Sequence, residues 1–271
     1  MKRFFSLLLA TTLLLTGCSF QTNEPAQLKV MSWNILNPTW GGPPAEMRVE
    51  SFFSTLNEQM PDVIGLQEAS SAWQAEFETL PAPYAAVCNK TSGGKDCMTM
   101  FFYNTETLTL IESGMEDLDT ASNIRVVSWA VLEAENGKRF LITNTHPDSR
   151  TAECEKHTVQ YLEIAKRLYD EKGLPILSVG DFNAVESSDA YALSIADGYT
   201  DSKYAEGVEI IKDYDSYLLG DYGGTATRGK GSRDHVFFKG AVTPLTFETL
   251  YNDLTREVSD HLPVVAVVEI G

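Results

Sequence analysis

The feature that most constrains the fold is a set of short apolar runs, each of which ends in a polar side chain. The clearest begins at Pro175 and ends in Asp181-Phe182-Asn183. It predicts a buried strand that delivers a carboxylate and an amide at its C-terminal end. Because strand residues two apart share a face, Asp181 and Asn183 should point the same way, with Phe182 packed inside. An Asx-type turn that only closes the strand is the alternative interpretation.

Three further apolar runs, predicted as strands over 28–34, 62–68 and 140–146, end in Asn34, Glu68 and His146. Helices are predicted over 45–60 and 153–171. Their inward stripes are formed by Val49, Phe52, Phe53, Leu56 and Met60 in the first, and by Val159, Leu162, Ala165 and either Leu168 or Tyr169 in the second. Residues 191–231 are predicted to be mostly loop. Strands of one sheet that end at one edge bring their last residues together, so these positions predict a functional site.

The first residues are typical of an export signal. A basic start precedes an apolar run of about a dozen residues, too short to cross a bilayer comfortably. The sequence Leu15-Thr16-Gly17-Cys18 resembles the lipobox of bacterial lipoproteins. That resemblance implies a signal peptide over 1–17, lipid on Cys18, and an outer-membrane position if the organism has an outer membrane. An uncleaved anchor is the alternative. Residues 18–27 are predicted to be a tether and 28–271 a single domain.

Charge and cysteine content limit the function classes. The net charge of −17 at pH 7 argues against tight binding of polyanions. A nuclease is still compatible with it, because bound cations and a local basic patch can invert the field at a site. In an oxidising compartment Cys88 and Cys97 could form a disulfide, and Cys154 is expected to be free and partly buried. No cysteine or histidine pair has zinc-site spacing.

The later chain adds Arg233-Asp234-His235 and Ser259-Asp260-His261. In this order, Trp33-Asn34, Gln67-Glu68, Thr145-His146, Gly180-Asp181-Phe182-Asn183, Asp234 and Ser259-Asp260-His261 resemble the endonuclease/exonuclease/phosphatase superfamily. The resemblance covers the chain from about Leu28 to its end. It implies a DNase I-like fold, a four-layer α/β sandwich of two mixed β-sheets flanked by helices. It also implies a monomeric hydrolase of phosphate esters that depends on Mg²⁺ or Mn²⁺.

The resemblance also implies roles for single residues. Glu68 and Asn34 would bind the metal, and Asp260 would lie beside it or bind a second ion. Asp181 and Asn183 would hold the attacking water and the phosphate. His261 would be a general base or a donor to the phosphate, oriented by Asp234, and His146 would donate to a phosphoryl oxygen or to the leaving group. These types suit the chemistry, because Mg²⁺ prefers oxygen ligands and a carboxylate fixes the tautomer of a catalytic imidazole.

Four residues stand outside that pattern. The family usually places an arginine and then an aliphatic residue before the penultimate aspartate, but Arg233 lies directly before Asp234, where it faces either substrate or an acidic neighbour. Arg228 and Lys230 belong to the densest basic stretch, which is either a solvated loop or a binding loop for substrate phosphate. Trp40 either covers the core or stacks on a base or sugar, and we favour the core.

The substrate stays open at this point. Nucleic acid, a phospholipid head group and a sugar or inositol phosphate all fit the expected chemistry, as phosphodiester or phosphomonoester. A non-catalytic surface binding protein that retains the fold is the alternative function. The complete set of acidic and histidine positions argues against it.

Overall fold

A computed structural model of the protein describes residues 24–89, 98–118, 125–228 and 231–271. The strands are β1 (Ala26–Asn34), β2 (Val63–Gln67), β3 (Tyr84–Val87), β4 (Thr99–Asn104), β5 (Leu108–Asp117), β6 (Val126–Ala134), β7 (Arg139–Thr145), β8 (Ile176–Asp181), β9 (Thr200–Asp201), β10 (Glu209–Lys212), β11 (Asp234–Lys239), β12 (Val242–Thr249) and β13 (Val264–Ile270). The α-helices are α1 (Val49–Gln59), α2 (Ser71–Glu76), α3 (Thr151–Lys172), α4 (Asp189–Ala196) and α5 (Asp253–Arg256). Short 3-10 helices cover Ala45–Met47, Phe77–Thr79 and Ser202–Tyr204.

The strands form two mixed sheets. The first sheet has seven strands in the order β10-β12-β13-β1-β2-β4-β3, and the second has six in the order β5-β6-β7-β8-β11-β9. Parallel pairs join β1 to β2 and β7 to β8 at the centres of the two sheets. The four-layer α/β sandwich expected from the sequence is therefore confirmed.

Three apolar clusters separate the four layers. Between the sheets, side chains such as Val30 and Phe101 of the first pack against Val179 and Val236 of the second. A second cluster joins the first sheet to α1 and α2, and a third joins the second sheet to α3 and α4. Burial of this kind stabilises the fold by roughly 25 cal/mol per Å² of apolar surface removed from water.

The predicted helices are present, with two wrong positions in their inward stripes. Met60 is 43% exposed because α1 ends at Gln59 and Met60 is its left-handed C-cap residue, with φ 45°. Val159 is 44% exposed, whereas Tyr161 is buried. Residues two apart in a helix differ by about 200° in direction, so one face cannot hold both. The inward face of α3 instead runs through Tyr161, Ala165 and Leu168.

The segment 191–231, predicted to be mostly loop, contains most of α4, and also β9, the 3-10 helix Ser202–Tyr204 and β10. Strand β9 pairs with β11 and strand β10 with β12, so this segment supplies an edge strand to each sheet. The two strands have only two and four residues, and β10 is exposed throughout. Such short strands show no apolar alternation from which they could be predicted.

A glycine brings two central strands together beneath the site. Gly180 lies opposite Thr145 in the parallel pairing of β7 with β8. A Cβ atom at Gly180 would lie 2.3 Å from the carbonyl oxygen of Thr145. Only glycine therefore allows this approach between the strands that end in Asp181 and lead to His146.

The cysteine and targeting predictions fall mostly outside the described residues, because Cys18 and Cys97 lie there. Cys154 is buried on α3 as a free thiol, and its Sγ donates a hydrogen bond to the carbonyl oxygen of Phe182 at 3.3 Å. Burial raises the pKa of Cys154 to about 11, so this thiol is unreactive at neutral pH. Within the described part of the chain, no helix combines the length and apolar character needed to span a membrane.

Candidate active site

The candidate residues lie where strands of both sheets end. Asn34 ends β1 and Glu68 directly follows β2 in the first sheet, whereas His146 directly follows β7 and Asp181 ends β8 in the second. Parallel pairing aligns the C-terminal ends within each pair of strands. We expected these four side chains to lie at one edge of a single sheet. That expectation is wrong, because the strand ends of two packed sheets form the site together.

The other candidate residues, Asp234, Asp260 and His261, lie at or just before the start of strands that run antiparallel to β8 and β1. Asp234 begins β11 and lies opposite Asp181 in the register with β8. Asp260 and His261 precede β13, which is antiparallel to β1. His261 also forms an antiparallel bridge with Tyr217. Antiparallel strands start where their partners end, so these side chains reach the same end of the sandwich.

Left-handed backbone marks this end of the sandwich. Leu36, Glu68 and Asn183 have φ values of 54°, 61° and 50°. A non-glycine residue in this region costs on the order of 1 kcal/mol and persists only where surrounding contacts hold it. The backbone thus turns sharply after β1, β2 and β8, which directs the Glu68 carboxylate back toward Asn34.

Asn34 joins the carboxylates of the two sheets. Its Nδ2 donates to Glu68 Oε1 at 2.9 Å and to Asp181 Oδ2 at 3.0 Å. Its Oδ1 accepts a hydrogen bond from the backbone N–H of Leu36 at 3.0 Å. Glu68 Oε2 accepts a further bond from the backbone N–H of Asn37 at 2.7 Å. In this arrangement Asn34 orients both carboxylates, and its own oxygen keeps a second lone pair for a ligand.

His261 forms the opposite half of the site with Asp234. The Nδ1 of His261 lies 2.8 Å from Asp234 Oδ2, and its Nε2 lies 3.6 Å from Asp181 Oδ2. Ser216 Oγ donates to the same oxygen of Asp234 at 2.6 Å. Trp33 Nε1 donates to the carbonyl oxygen of His261 at 3.0 Å. The imidazole is therefore held at the ring and at the backbone, with Nε2 directed into the site.

His146 completes the ring of side chains around Asp181. Its Nε2 lies 3.3 Å from Asp181 Oδ2 and 4.0 Å from Glu68 Oε1. Arg125 donates from Nη1 to the carbonyl oxygen of His146 at 3.0 Å. One oxygen of Asp181 thus faces both imidazoles and the amide of Asn34.

Charge and burial shift two pKa values strongly. Burial alone would lower the pKa of His261, but the charges of Asp234 and Asp181 outweigh it and raise that pKa to about 10. Burial would raise the pKa of Asp181, but the charges of His261 and His146 outweigh it and hold that pKa well below its usual range. At neutral pH the protein's own charges therefore favour an imidazolium beside an ionised Asp181.

Asn183 forms the Asx-type turn that was the alternative interpretation of its motif. Its backbone N–H donates to Asp181 Oδ1 at 2.9 Å, which is the Asx-type turn that closes β8. Its Nδ2 donates to the carbonyl oxygen of Pro147 at 3.0 Å, one residue beyond His146. Phe182 is buried against α3 and α4, as predicted.

The basic stretch that was a candidate for binding substrate phosphate lies only partly within the described residues, and its Arg228 is not among the site residues above. Arg228 stacks on Tyr214 with its guanidinium carbon 4.8 Å from the ring centre. It lines a cavity of about 370 Å³ with Glu186, Lys203 and Asp213, and the lining includes none of the site residues above. Lys230 lies outside the described residues.

Several residues at the site were missed or misjudged from the sequence. Arg125 was not identified, and its guanidinium lies 5.9 Å from the ring centre of Trp40. Trp40 is 55% exposed, so the prediction that it covers the core is wrong. Tyr217 packs on the ring of His261 at 4.8 Å, and Arg233 stacks on Tyr217. For Tyr217 and Arg233, the only indication in the sequence was that Arg233 lies directly before Asp234.

The acidic half of the site, defined as Asn34, Glu68 and Asp260, fits a divalent cation. Burial raises the pKa of Asp260, and the charges of Glu68 and Asp181 raise it further against the opposing charge of His261. A bound cation would relieve the repulsion that raises the pKa of Asp260, and oxygen donors are what Mg²⁺ prefers.

A different set of ligand atoms, from Asp181, Asp234 and His261, lies within 4.8 Å of one another. His261 and Asp234 share a hydrogen bond between Nδ1 and Oδ2, so His261 Nε2 and Asp234 Oδ1 are the atoms of this pair that are left for a metal. The structure therefore offers two places for a cation, the acidic half and this cluster. The imidazole half is defined as Ser216, Asp234 and His261.

A two-sheet sandwich with these carboxylates and histidines at its facing edges defines a DNase I-like α/β protein. A sequence profile of the endonuclease/exonuclease/phosphatase family matches residues 31–261. The chain belongs to that family, as the motifs indicated.

Solved structures with the same fold come from bacteria and vertebrates. A functionally unknown conserved protein of Enterococcus faecalis has a TM-score of 0.78 at 18% identity, over 90% of this chain and all (100%) of its own. The mannosyl-6-phosphatase Bt3783 of Bacteroides thetaiotaomicron has a TM-score of 0.73 at 21% identity, over 89% of this chain and 99% of its own. D. rerio TDP2 complexed with single-strand DNA product has a TM-score of 0.69 at 19% identity, over 90% and 99%. No curated protein sequence matches the chain.

Proposed function

We propose that this protein hydrolyses phosphate esters with a divalent cation, by in-line attack of water. The observation that carries the proposal is the arrangement around Asp181, whose carboxylate faces two imidazoles and an amide beside a carboxylate-rich half of the site. Hydrolysis of a phosphate ester needs charge stabilisation on the phosphoryl oxygens and an oriented water molecule. These residues supply donors and acceptors for both.

Glu68 and Asp260 would hold the cation, with Asn34 fixing the position of the Glu68 carboxylate. A bound Mg²⁺ or Mn²⁺ would stabilise negative charge on phosphoryl oxygens and lower the pKa of water. Asn34 Oδ1 accepts one hydrogen bond from Leu36 and has a second lone pair through which it would bind the metal. Asn34 would therefore orient the carboxylates through Nδ2 and offer an oxygen ligand through Oδ1.

The two histidines would act as donors. His261, whose pKa is raised to about 10, carries a proton at neutral pH and would donate from Nε2 to a phosphoryl oxygen. Asp234 holds its Nδ1 and so fixes the ring. His146 lies on the other side of Asp181 and would stabilise or protonate the leaving oxygen. Asp181, which stays ionised, would orient the water with Asn183 beside it.

The family and the geometry support phosphate esters as the substrate class. Relatives with this fold include a mannosyl-6-phosphatase and a protein bound to a DNA product, so sugar phosphates and nucleic acids both remain candidates. The strong negative charge of the chain favours small or membrane-borne phosphates over long polyanions. A monomer suffices, because one chain contributes every residue of the site.

We also propose that the protein is a lipoprotein of the cell envelope, held by lipid on Cys18. The lipobox-like sequence Leu15-Thr16-Gly17-Cys18 supports this location. Incorporation of a labelled fatty acid into the wild type, and its loss in Cys18→Ser, is the expected result. Equal labelling of both proteins would refute the proposal.

The function is tested by hydrolysis of p-nitrophenyl phosphate and bis-p-nitrophenyl phosphate with Mg²⁺, with Mn²⁺ or with EDTA. We expect turnover of at least one ester, loss of turnover in EDTA, and a fall of about 10²-fold or more in His261→Ala. Turnover that persists in EDTA would contradict the metal dependence. Absence of turnover with both esters and with phosphorylated sugars and DNA would favour a binding protein.

A further inference from the structure

Three side chains form a stack on the imidazole half of the site. The ring of Tyr217 lies 4.8 Å from the ring of His261, centre to centre. The guanidinium carbon of Arg233 lies 3.9 Å from the centre of the Tyr217 ring. Arg233 therefore sits one aromatic ring away from a histidine that we assign to phosphate contact. Both Tyr217 and Arg233 are partly exposed, so the stack faces solvent.

Backbone hydrogen bonds fix this stack to the site. The N–H of Leu218 donates to the carbonyl oxygen of Asp260 at 2.7 Å, and the N–H of Leu262 donates to the carbonyl oxygen of Ser216 at 2.6 Å. The N–H of Arg233 donates to Ser216 Oγ at 3.1 Å. The segment that carries Tyr217 is therefore attached to both halves of the site.

Arg233 differs from four other arginines of the described chain in its partners. Arg139, Arg150, Arg167 and Arg256 each pair with a carboxylate within 4.0 Å. Within residues 24–89, 98–118, 125–228 and 231–271, no such carboxylate pairs with Arg233. A guanidinium stacked on a ring keeps N–H donors at its edge for a bidentate anion. In a chain of net charge −17, a cation without a carboxylate partner beside the site points to an incoming anion.

We propose that Arg233, positioned by Tyr217, binds a non-bridging oxygen of the substrate phosphate and makes the enzyme prefer phosphomonoesters to phosphodiesters. The proposal deepens the proposed function and rests on it. A monoester dianion brings one more negative charge than a diester into a site lined by Glu68, Asp181, Asp234 and Asp260. An added guanidinium offsets that repulsion, whereas a diester gains less from it.

The reaction that follows is balanced by water alone. The water oxygen forms a bond to phosphorus, the bond from phosphorus to the leaving oxygen breaks, and that oxygen takes a proton. Inorganic phosphate is then the product, and it retains the oxygens that Arg233 would contact. Binding of inorganic phosphate is therefore a second measurement of the same contact, independent of turnover.

The kinetic test compares both p-nitrophenyl esters in the full-length protein with Mn²⁺. We expect Arg233→Met to lower kcat/KM for the monoester about tenfold or more, as loss of a charge-assisted hydrogen bond predicts, and for the diester less than about threefold. Arg233→Lys keeps the charge but loses the planar group that stacks on Tyr217. Its kcat/KM for the monoester should lie between those of the wild type and Arg233→Met. Arg167→Met is the matched control, since it removes the same charge from an exposed position on α3. Equal losses for both esters, or no loss, would overturn the proposal.

Calorimetric titration of inorganic phosphate separates this proposal from the function on which it rests. We expect about tenfold weaker phosphate binding in Arg233→Met and no change in Arg167→Met. If the wild type hydrolyses neither ester, the proposed function fails, and phosphate titration still decides whether Arg233 binds the anion. If phosphate binds equally to wild type and Arg233→Met, the role of Arg233 is refuted whatever the turnover.

Discussion

The two halves of the site differ in how far the protein alone completes them. In the imidazole half, His261, Asp234 and Ser216 are joined by hydrogen bonds of 2.8 and 2.6 Å. In the acidic half, the charge of Glu68 raises the pKa of Asp260, and their neighbour Asn34 supplies an amide. Hydrogen bonds within the protein complete the first half, whereas under the proposed function a bound cation would complete the second. Substitutions should therefore separate ion binding from imidazole chemistry.

The largest effect is expected from Glu68→Gln, which removes the charge of the acidic half and keeps the shape. We expect turnover with Mg²⁺ or Mn²⁺ to fall by about 10³-fold, since a metal contributes several kcal/mol to the transition state. The wild type should also gain thermal stability as Mn²⁺ is added, because a ligand of the folded state stabilises it by mass action. Glu68→Gln should gain little.

The matched control for that experiment is Glu163→Gln, an exposed glutamate on α3. It should retain both turnover and the stabilisation by Mn²⁺. Stabilisation of Glu68→Gln as large as that of the wild type would place the cation elsewhere. The cluster of Asp181, Asp234 and His261 would then be the next candidate.

A smaller effect, of about 10²-fold on kcat, is expected from Asp234→Asn. The charge of Asp234 is the largest positive contribution to the raised pKa of His261. Its removal should lower that pKa from about 10 toward ordinary values, while Mn²⁺ binding stays unchanged. The chain has four histidines, so NMR titration of their ring protons resolves His261 directly. An unchanged pKa of His261 would contradict the assignment of the imidazole half.

The two halves also differ in how well the sequence predicts them. Asn34, Glu68, His146 and Asp181 each end an apolar run, so local hydrophobic pattern alone places them at strand ends. The pairing of Asp234 with His261 follows from no local pattern, because 27 residues separate them, and only the family resemblance indicated it. That the four strand ends belong to two sheets depends on strand pairing, which a single run cannot specify.

Residues that depend wholly on tertiary contact escaped prediction. Arg125 reaches the site through the carbonyl oxygen of His146, 21 residues away. Tyr217 lies in a segment rich in aspartate, tyrosine and glycine, which predicts loop and carries no signal for a ring stacked on His261. Trp40 was misjudged because an isolated tryptophan is more often buried than exposed beside a site.

The smallest effect on activity, about tenfold on kcat, is expected from His235→Gln, and it should fall on the imidazole half alone. His235 is buried with Nδ1 2.8 Å from Asp201 Oδ2 and Nε2 2.8 Å from the carbonyl oxygen of Ala184. Because both partners accept hydrogen bonds, both ring nitrogens must donate, and the ring is an imidazolium. This ion pair holds β11, which begins at Asp234, against the turn that follows Asn183. Glutamine cannot donate to both partners with the same geometry.

His235→Gln should also lower the free energy of unfolding by about 3 kcal/mol, since it leaves Asp201 buried beside a neutral group. Burial lowers the pKa of His235, but the charges of Asp201 and, more weakly, Glu186 outweigh this effect and raise that pKa above 6.5. The hydroxyl of Tyr191 also donates a hydrogen bond to Asp201. A raised pKa in the folded state contributes stability below pH 6.5 that is lost as pH rises through the folded value. Urea unfolding at several pH values should therefore show the free energies of unfolding of the wild type and His235→Gln converging at alkaline pH.

The double variant His235→Gln/Asp201→Asn removes the unpaired charge of Asp201, and it should recover part of the lost free energy of unfolding. Parallel pH profiles for wild type and His235→Gln would mean that the ring is neutral, and unchanged kcat would mean that β11 needs no support from this pair.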